Sequence, residues 1–430
     1  MRESLLAATS AAMEVCAAMQ QIDTSRAQAG PGFAEFVALI AFMMALTALS
    51  IDIMLVALPD IDAAFALPDH NQRQYVVTAY LLGFAVGQPV YGPLSDWYGR
   101  KPLLYFGTGL FAAGAVLACF APDFTVLLAA RAVQGLGAAA ARVIAVAIVR
   151  DRFAGRSMSR VMSFVIMTFI IVPIVAPSIG SAILLAGDWR WVFAALLVAA
   201  VVMMLWFGLR LPETLTDDNR MPLRGETLWA AVKLMLADRQ TLGYTVATGF
   251  LFGGLMAYVG SAEQMFVDAF GVGDAFPIYF GAVAAVMIPA SMLNARLVEK
   301  MGMRRLSHIA LVAQLVACVV LAVAGFPGDL PLPLFCAFLA VAFLCFGVMM
   351  PNFNAIAMEP LGHLAGTGSS FIGFYSTAAG AILGGVIGQA FDGSVQPFLF
   401  GYSVLSALTL LIVLWTERGR LFRTTVQTHH

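Results

Sequence analysis

Charge is what this sequence has least of. Only 11% of its 430 residues are Asp, Glu, Lys or Arg, against about 25% in a soluble globular domain, so it cannot clothe a water-facing surface. The 24 basic and 25 acidic residues nearly cancel, and no basic patch interleaved with aromatics occurs, which excludes nucleic acid as a partner. Cysteine is sparse too. Cys16, Cys119, Cys318, Cys336 and Cys345 show no CxxC spacing and four lie in apolar stretches, so they fit small core residues rather than disulfides or metal ligands. The five histidines, His70, His308, His363, His429 and His430, form no HExxH or similar pattern, and no GxxxxGK[ST] loop is present. A membrane enzyme and an ATP-driven pump both lack their chemistry; no catalytic residue, metal or cofactor is expected.

Apolar sequence is present in excess: 61% of residues are hydrophobic and the mean hydropathy is +0.87. A spanning helix needs roughly 20 apolar residues. Runs of that kind fall at 34–58, 73–94, 102–120, 125–148, 160–185 and 191–211, then at 241–262, 275–298, 306–326, 331–351, 364–390 and 395–416. The fold class expected is an all-α integral membrane protein with twelve transmembrane helices in two six-helix, pseudo-symmetric bundles. Residues 1–33 form an N-terminal tail, 34–211 the first bundle, 212–240 a central loop, 241–416 the second bundle and 417–430 a C-terminal tail. Leu5 to Met19 is moderately apolar, but Glu14 within it and Asp23 and Arg26 after it argue against a secretory signal.

Positive charge sets the orientation. With both termini cytoplasmic, the tails, the central loop and the other inner loops hold all of the 24 Lys and Arg except Arg73, Arg131, Arg142 and Arg190. The halves also repeat: shifted by 203 residues, LSDWYGRKPL from Leu94 lies over LVEKMGMRRL from Leu297, matching Asp96 with Glu299, Gly99 with Gly302 and Lys101 with Arg304. Both stretches join the second and third helices of their half, and parallel six-helix repeats build one transporter architecture.

These residues resemble a family. Gly92-x-Leu94-x-Asp96-x-x-Gly99-Arg100-Lys101 is similar to the signature loop of the major facilitator superfamily, with Trp97 where an Arg is usual, and Arg131-x-x-Gln134-Gly135 is similar to its second motif. Ser50-Ile51-Asp52 through Pro59, Val172-Pro173 through Pro177 and Gly180, and Ala365-Gly366-Thr367 with Ser369-Ser370 resemble the Bcr/CflA branch of bacterial multidrug exporters. The resemblance implies a drug:proton antiporter of the bacterial inner membrane, driven by the proton gradient, with drug-like small molecules, protons and the lipid bilayer as partners and a monomer as the working unit. Ala176 and Ser181 replace glycines of the superfamily's antiporter motif. A proton-coupled or facilitative exporter of a sugar, amino acid or peptide on the same fold stays open.

Candidate sites follow from the rare polar residues inside helices. Asp52, six residues or about 9 Å from Leu58, is an acid deep in the first run, where an ionised carboxylate must be paired or wetted. Arg131 lies at matching depth on the fourth helix; Arg142, three turns on, shares its face to within about 20 degrees, and Gln134 lies to one side. This stripe is expected to line an aqueous path. Desolvation raises a carboxyl pKa and a nearby Arg lowers it, so Asp52 beside Arg131 is the expected proton-coupling pair. Tyr80, Gln88, Gln134, Arg142, Met256, Tyr258, Phe374 and Tyr375 are the candidate substrate-cavity residues, because polar tips want partners and Met and aromatic side chains adapt to varied lipophilic ligands. Gly92, Asp96, Gly99, Arg100, Lys101, Pro173, Pro177 and Gly180 are the candidate gating residues, with Asp96 expected to meet positive partners only when the cytoplasmic side is shut. Gly380, Gly384 and Gly388 fit helix packing.

Overall fold

A computed structural model describes residues 30–216, 220, 232–323 and 330–422. Residues 1–29 and 423–430 of the expected tails, and 217–219 and 221–231 of the expected central loop, lie outside the described residues. In hydrocarbon every backbone N–H and C=O must be satisfied within the segment, so apolar runs of this length become helices. The spans are α1 (Phe33–Asp52), α2 (Tyr75–Tyr98), α3 (Arg100–Cys119), α4 (Phe124–Arg152), α5 (Gly155–Leu184) and α6 (Arg190–Arg210). They continue with α7 (Arg239–Glu263), α8 in two pieces (Phe276–Ala285 and Met287–Met301), α9 (Met303–Val323), α10 (Leu332–Met358), α11 (Ala365–Gln389) and α12 (Gln396–Thr416). Asp123 and Asp238 cap α4 and α7 by accepting the N–H of Val126 (2.9 Å) and Thr241 (2.7 Å).

Among the described residues, eleven stretches are long and apolar enough to cross a membrane. The twelfth span, α2, has 24 residues but is diluted by Gln88, Pro89, Gly92 and Pro93. The first crossing reaches further than the apolar run foretold: after Asp52 a 3-10 turn (Leu55–Ala57) and a short helix (Leu58–Phe65) carry it to Phe65. Asp52 therefore stands at a break within the span, not near its end.

Helices α1–α6 pack among themselves and α7–α12 likewise; the two groups meet chiefly along α2 with α11 and α5 with α8. The α2–α4 contact is backbone-close, because a Cβ on Gly135 would collide with the Tyr80 carbonyl. The repeat is visible in the backbone. Gly99 (φ 104°, ψ 156°) ends α2 and Gly302 (φ 77°, ψ 154°) ends α8, a conformation only glycine takes readily, and each N–H returns to the carbonyl four residues back.

Candidate functional site

A cavity of about 1800 Å³ opens between the two groups on the face that carries the α2–α3 turn. Its rim includes Pro31, Asp96, Arg150, Asp151 and Glu213, and its wall comes from α2, α4, α7, α10 and α11. Gln88 forms the floor: its Nε2 donates to Thr377 Oγ1 (2.9 Å) and to the Gly373 carbonyl (3.3 Å), joining α2 to α11. Eight residues of α2 separate Gln88 from Asp96, so the floor lies about 12 Å below the rim.

The far face is shut by polar bonds between the groups. Arg73 Nη2 lies 2.5 Å from Asp268 and 3.1 Å from Glu263. Asn71 Nδ2 donates to the carbonyls of Gln389 (3.2 Å) and Phe391 (2.8 Å), and Gln389 donates back to the Asn71 carbonyl (2.7 Å). Gln74 donates to Gln264 and, at 3.1 Å, to the Gly388 carbonyl. The molecule is thus open on one side and latched on the other.

Asp52 and Arg131 occupy the interior of the first group, beyond the cavity floor. Arg131 is fully buried; it donates to the Val76 carbonyl (3.1 Å), to Gln134 (2.5 Å) and to the Ser50 carbonyl (3.0 Å), and its guanidinium stacks 4.5 Å over the Tyr80 ring. No ion pair joins it to Asp52 among the described residues. Their connection is through the backbone: Arg131 holds the carbonyl of Ser50, two residues before Asp52, just where α1 breaks. On the other side of that break the Ile53 carbonyl packs on Gly180 of α5, leaving no room for a side chain there. Asp52 is itself buried.

The α2–α3 turn is a network of its own. Arg100 binds Asp96 (2.5 Å), Ser95 (2.7 Å) and Asp151 (2.9 and 3.3 Å), while Glu213 accepts the N–H groups of Arg100 (3.0 Å) and Lys101 (2.9 Å) at the start of α3. Lys101 Nζ reaches the Gly208 carbonyl (2.8 Å). In the second group Arg304, the counterpart of Lys101, binds Glu417 (3.1 Å) and Glu359 (3.1 Å). The expectation that Asp96 finds a cation only when this face is shut is corrected here: the face is open and Asp96 is already paired, because the Gly99 turn folds Arg100 back onto the end of its own helix.

The other expected cavity residues are distributed unevenly. Gln88 and Arg142 are on the wall, with Phe252 and Phe371, and so is Gly92. Tyr80 and Gln134 are instead packed around Arg131, and the Tyr80 hydroxyl donates to the Thr47 carbonyl (3.0 Å). The polar stripe of α4 therefore divides: Arg142 lines the cavity, whereas Arg131 and Gln134 are sealed behind the close α2–α4 contact. Met256 is buried on α7, Tyr258 sits in an aromatic cluster with Phe280 and Phe343, and Tyr375 packs over Gly249. Phe374 is half-buried on α11 and, like Tyr375, is not among the wall residues. Pro173 and Pro177 lie inside α5. Sequence reasoning missed Glu263, a second buried acid one residue beyond the expected end of the seventh run, along with Ser376 and Thr377 on the α11 wall; Thr367, Ser369 and Ser370, singled out for the family resemblance alone, line it too. The available signal for the latch was Arg73, one of only two Lys or Arg, with Arg190, on the side where positive charge is otherwise scarce.

Residues 40–385 match the Major Facilitator Superfamily. The chain is 32% identical over 356 residues to the uncharacterized MFS-type transporter YdgK of Bacillus subtilis, covering 81% of this chain and 88% of that one. It is also 32% identical over 349 residues to a bicyclomycin resistance protein homolog of Haemophilus influenzae, covering 79% and 86%. Its fold is similar to that of a D-xylose–proton symporter, with a TM-score of 0.72 at 15% identity over 89% of this chain and 97% of that one.

Proposed function

The chain belongs to the Major Facilitator Superfamily, and from that premise we propose that it is a proton-coupled antiporter exporting drug-like small molecules by alternating access. One observation carries the reading: a deep cavity open on one face is closed on the other by bonds between the two helix groups, and a buried acid stands at a helix break beside their contact. The two bundles, 34–211 and 241–416, are the bodies that rock. The open face is the cytoplasmic one, since it gathers the Arg-rich loops, with both termini on that side of a bacterial inner membrane. Similarity to a bicyclomycin resistance protein homolog and to the Escherichia coli multidrug resistance protein MdtL supports export of drugs rather than uptake of nutrients.

Asp52 is the proton-coupling residue and Arg131 its positioning partner. Asp52 is not on the cavity wall, so proton and substrate do not compete for one carboxylate. Protonation acts on the α1 break, which Arg131 grips from one side and Gly180 of α5, a helix carrying Pro173 and Pro177, supports from the other; α5 in turn packs on α8 of the second bundle. Asp96, Gly99, Arg100 and Lys101 keep the α2–α3 turn rigid as the bundles move. In everted vesicles, Asp52→Asn is expected to abolish proton-driven export while substrate binding in detergent stays within severalfold of wild type. Full proton-driven export by that variant overturns the assignment.

A further inference from the structure

The cavity is chemically lopsided. Every charged residue on its wall comes from the first 220 residues, whereas α10 and α11 contribute only neutral side chains, among them Asn354, Ser370, Ser376 and Thr377. The acids are confined to the rim and engaged there: Asp96 and Asp151 bind Arg100, and Glu213 holds the α3 N-terminus. Arg142 is placed deeper. It lies ten residues along α4 from Arg152, about 15 Å below the rim, and its guanidinium is 5.6 Å from the ring of Phe84, one turn of α2 from Gln88. A positive group therefore stands at the floor of a wall that also carries hydroxyl and amide groups, with no acid among the described wall residues at that depth.

We propose that this cavity takes small amphiphilic anions, an aromatic body carrying a carboxylate, and discriminates against lipophilic cations. The carboxylate meets the Arg142 guanidinium, whose planar fork suits two parallel hydrogen bonds in a partly dehydrated site. The remaining polar atoms of the ligand meet Ser376 and Asn354, and its ring meets Phe252 and Phe371. A cation would lose water at the floor and gain no counter-charge. This inference rests on the reading of the cavity as the transport site, and it narrows the broad lipophilic range that the Met and aromatic content implied: Phe252, Met350, Met358 and Phe371 line the wall for the aromatic body, and Arg142 sets the charge it takes.

The test uses one aromatic body in three charge states: anthracene-9-carboxylate, 9-anthracenemethanol and 9-(aminomethyl)anthracene as its ammonium. Binding is read by ligand fluorescence on the full-length protein in detergent, without a gradient. The carboxylate is expected to bind at least tenfold tighter than the ammonium. Arg142→Gln should erase that preference and leave the alcohol within about twofold, and Arg142→Lys should keep part of it. Asn354→Asp, nearly isosteric and independent of Arg142, should move the preference toward the ammonium. Equal or tighter ammonium binding in wild type, or an unchanged preference in both Arg142→Gln and Asn354→Asp, overturns the proposal. Export in everted vesicles separates the two readings. Carboxylate preference without proton-driven export sinks antiport alone, and Asp52-dependent export of the ammonium and alcohol without carboxylate preference sinks the anion site alone.

Discussion

Arg73→Ala offers the sharpest test of the far-face latch. Arg73 and Glu263 side chains are 5% and 3% exposed, and Asp268 is 44% exposed. Removing one partner of a buried ion pair costs about 3–5 kcal/mol, because the other charge is left buried and uncompensated; the half-exposed Asp268 adds less than about 1 kcal/mol. The penalty falls on the closed far face alone, since opening that face parts the two groups and lets water reach Glu263. A loss of about 3 kcal/mol shifts the two-state balance roughly a hundredfold toward the open far face. Glu263→Gln by itself should shift it little, as Arg73 keeps Asp268, and Arg73→Ala with Glu263→Gln should recover most of the wild-type balance. Spin labels at the exposed positions Ala64 and Asp274 report the gap by pulsed electron resonance. An Arg73→Ala distance distribution identical to wild type, or an equal shift from Glu263→Gln, would refute the reasoning.

Other outcomes follow from the same geometry. Asp151→Ala should impair transport more than Asp96→Ala, because Asp151 binds Arg100 through two nitrogens and Asp96 through one; transport rates at equal expression decide it, and the reverse order argues against a turn braced by Asp151. Both variants should bind ligand in detergent like wild type. Gly135→Val forces a side chain into the Tyr80 backbone, and overpacking of that kind costs about 1–3 kcal/mol or more. Its melting temperature by size-exclusion assay should fall clearly, whereas Gly109→Ala, where a Cβ meets nothing within 4 Å, should leave it unchanged.

The positions of the spans were legible because hydrophobic length is a local property. Eleven of the twelve crossings meet a simple length-and-apolarity criterion, and α2 escaped it only through the Gln, Gly and Pro residues that serve the cavity floor and the turn. The repeat was legible for a local reason as well: Gly99 and Gly302 must take a positive φ for the chain to leave one helix and start the next, so glycine recurs at both. The helix break in the first crossing left one mark: Pro59 stands in the first turn of the short helix that follows it, and its missing N–H cannot bond back to the preceding turn. Where within Ser50 to Leu58 the 3-10 turn falls was not legible, since it depends on packing against α5 and on Arg131 holding the Ser50 carbonyl.

Helical periodicity placed Arg131, Gln134 and Arg142 on one side of α4, but periodicity does not say what that side faces. Tertiary packing decided it: the backbone-close approach of α2 at Gly135 shuts Arg131 and Gln134 into the first group, while the divergence of the two groups nearer the turn leaves Arg142 on the cavity wall. The latch is of the same kind. Arg73 and Glu263 are 190 residues apart, and only the meeting of the two helix groups makes them partners. Composition and apolar spacing by themselves determined a twelve-span, repeated membrane fold, because burial in lipid acts on each segment separately. Which polar groups touch substrate, proton or one another was decided by the tertiary structure, because those contacts form between segments that lie far apart along the chain.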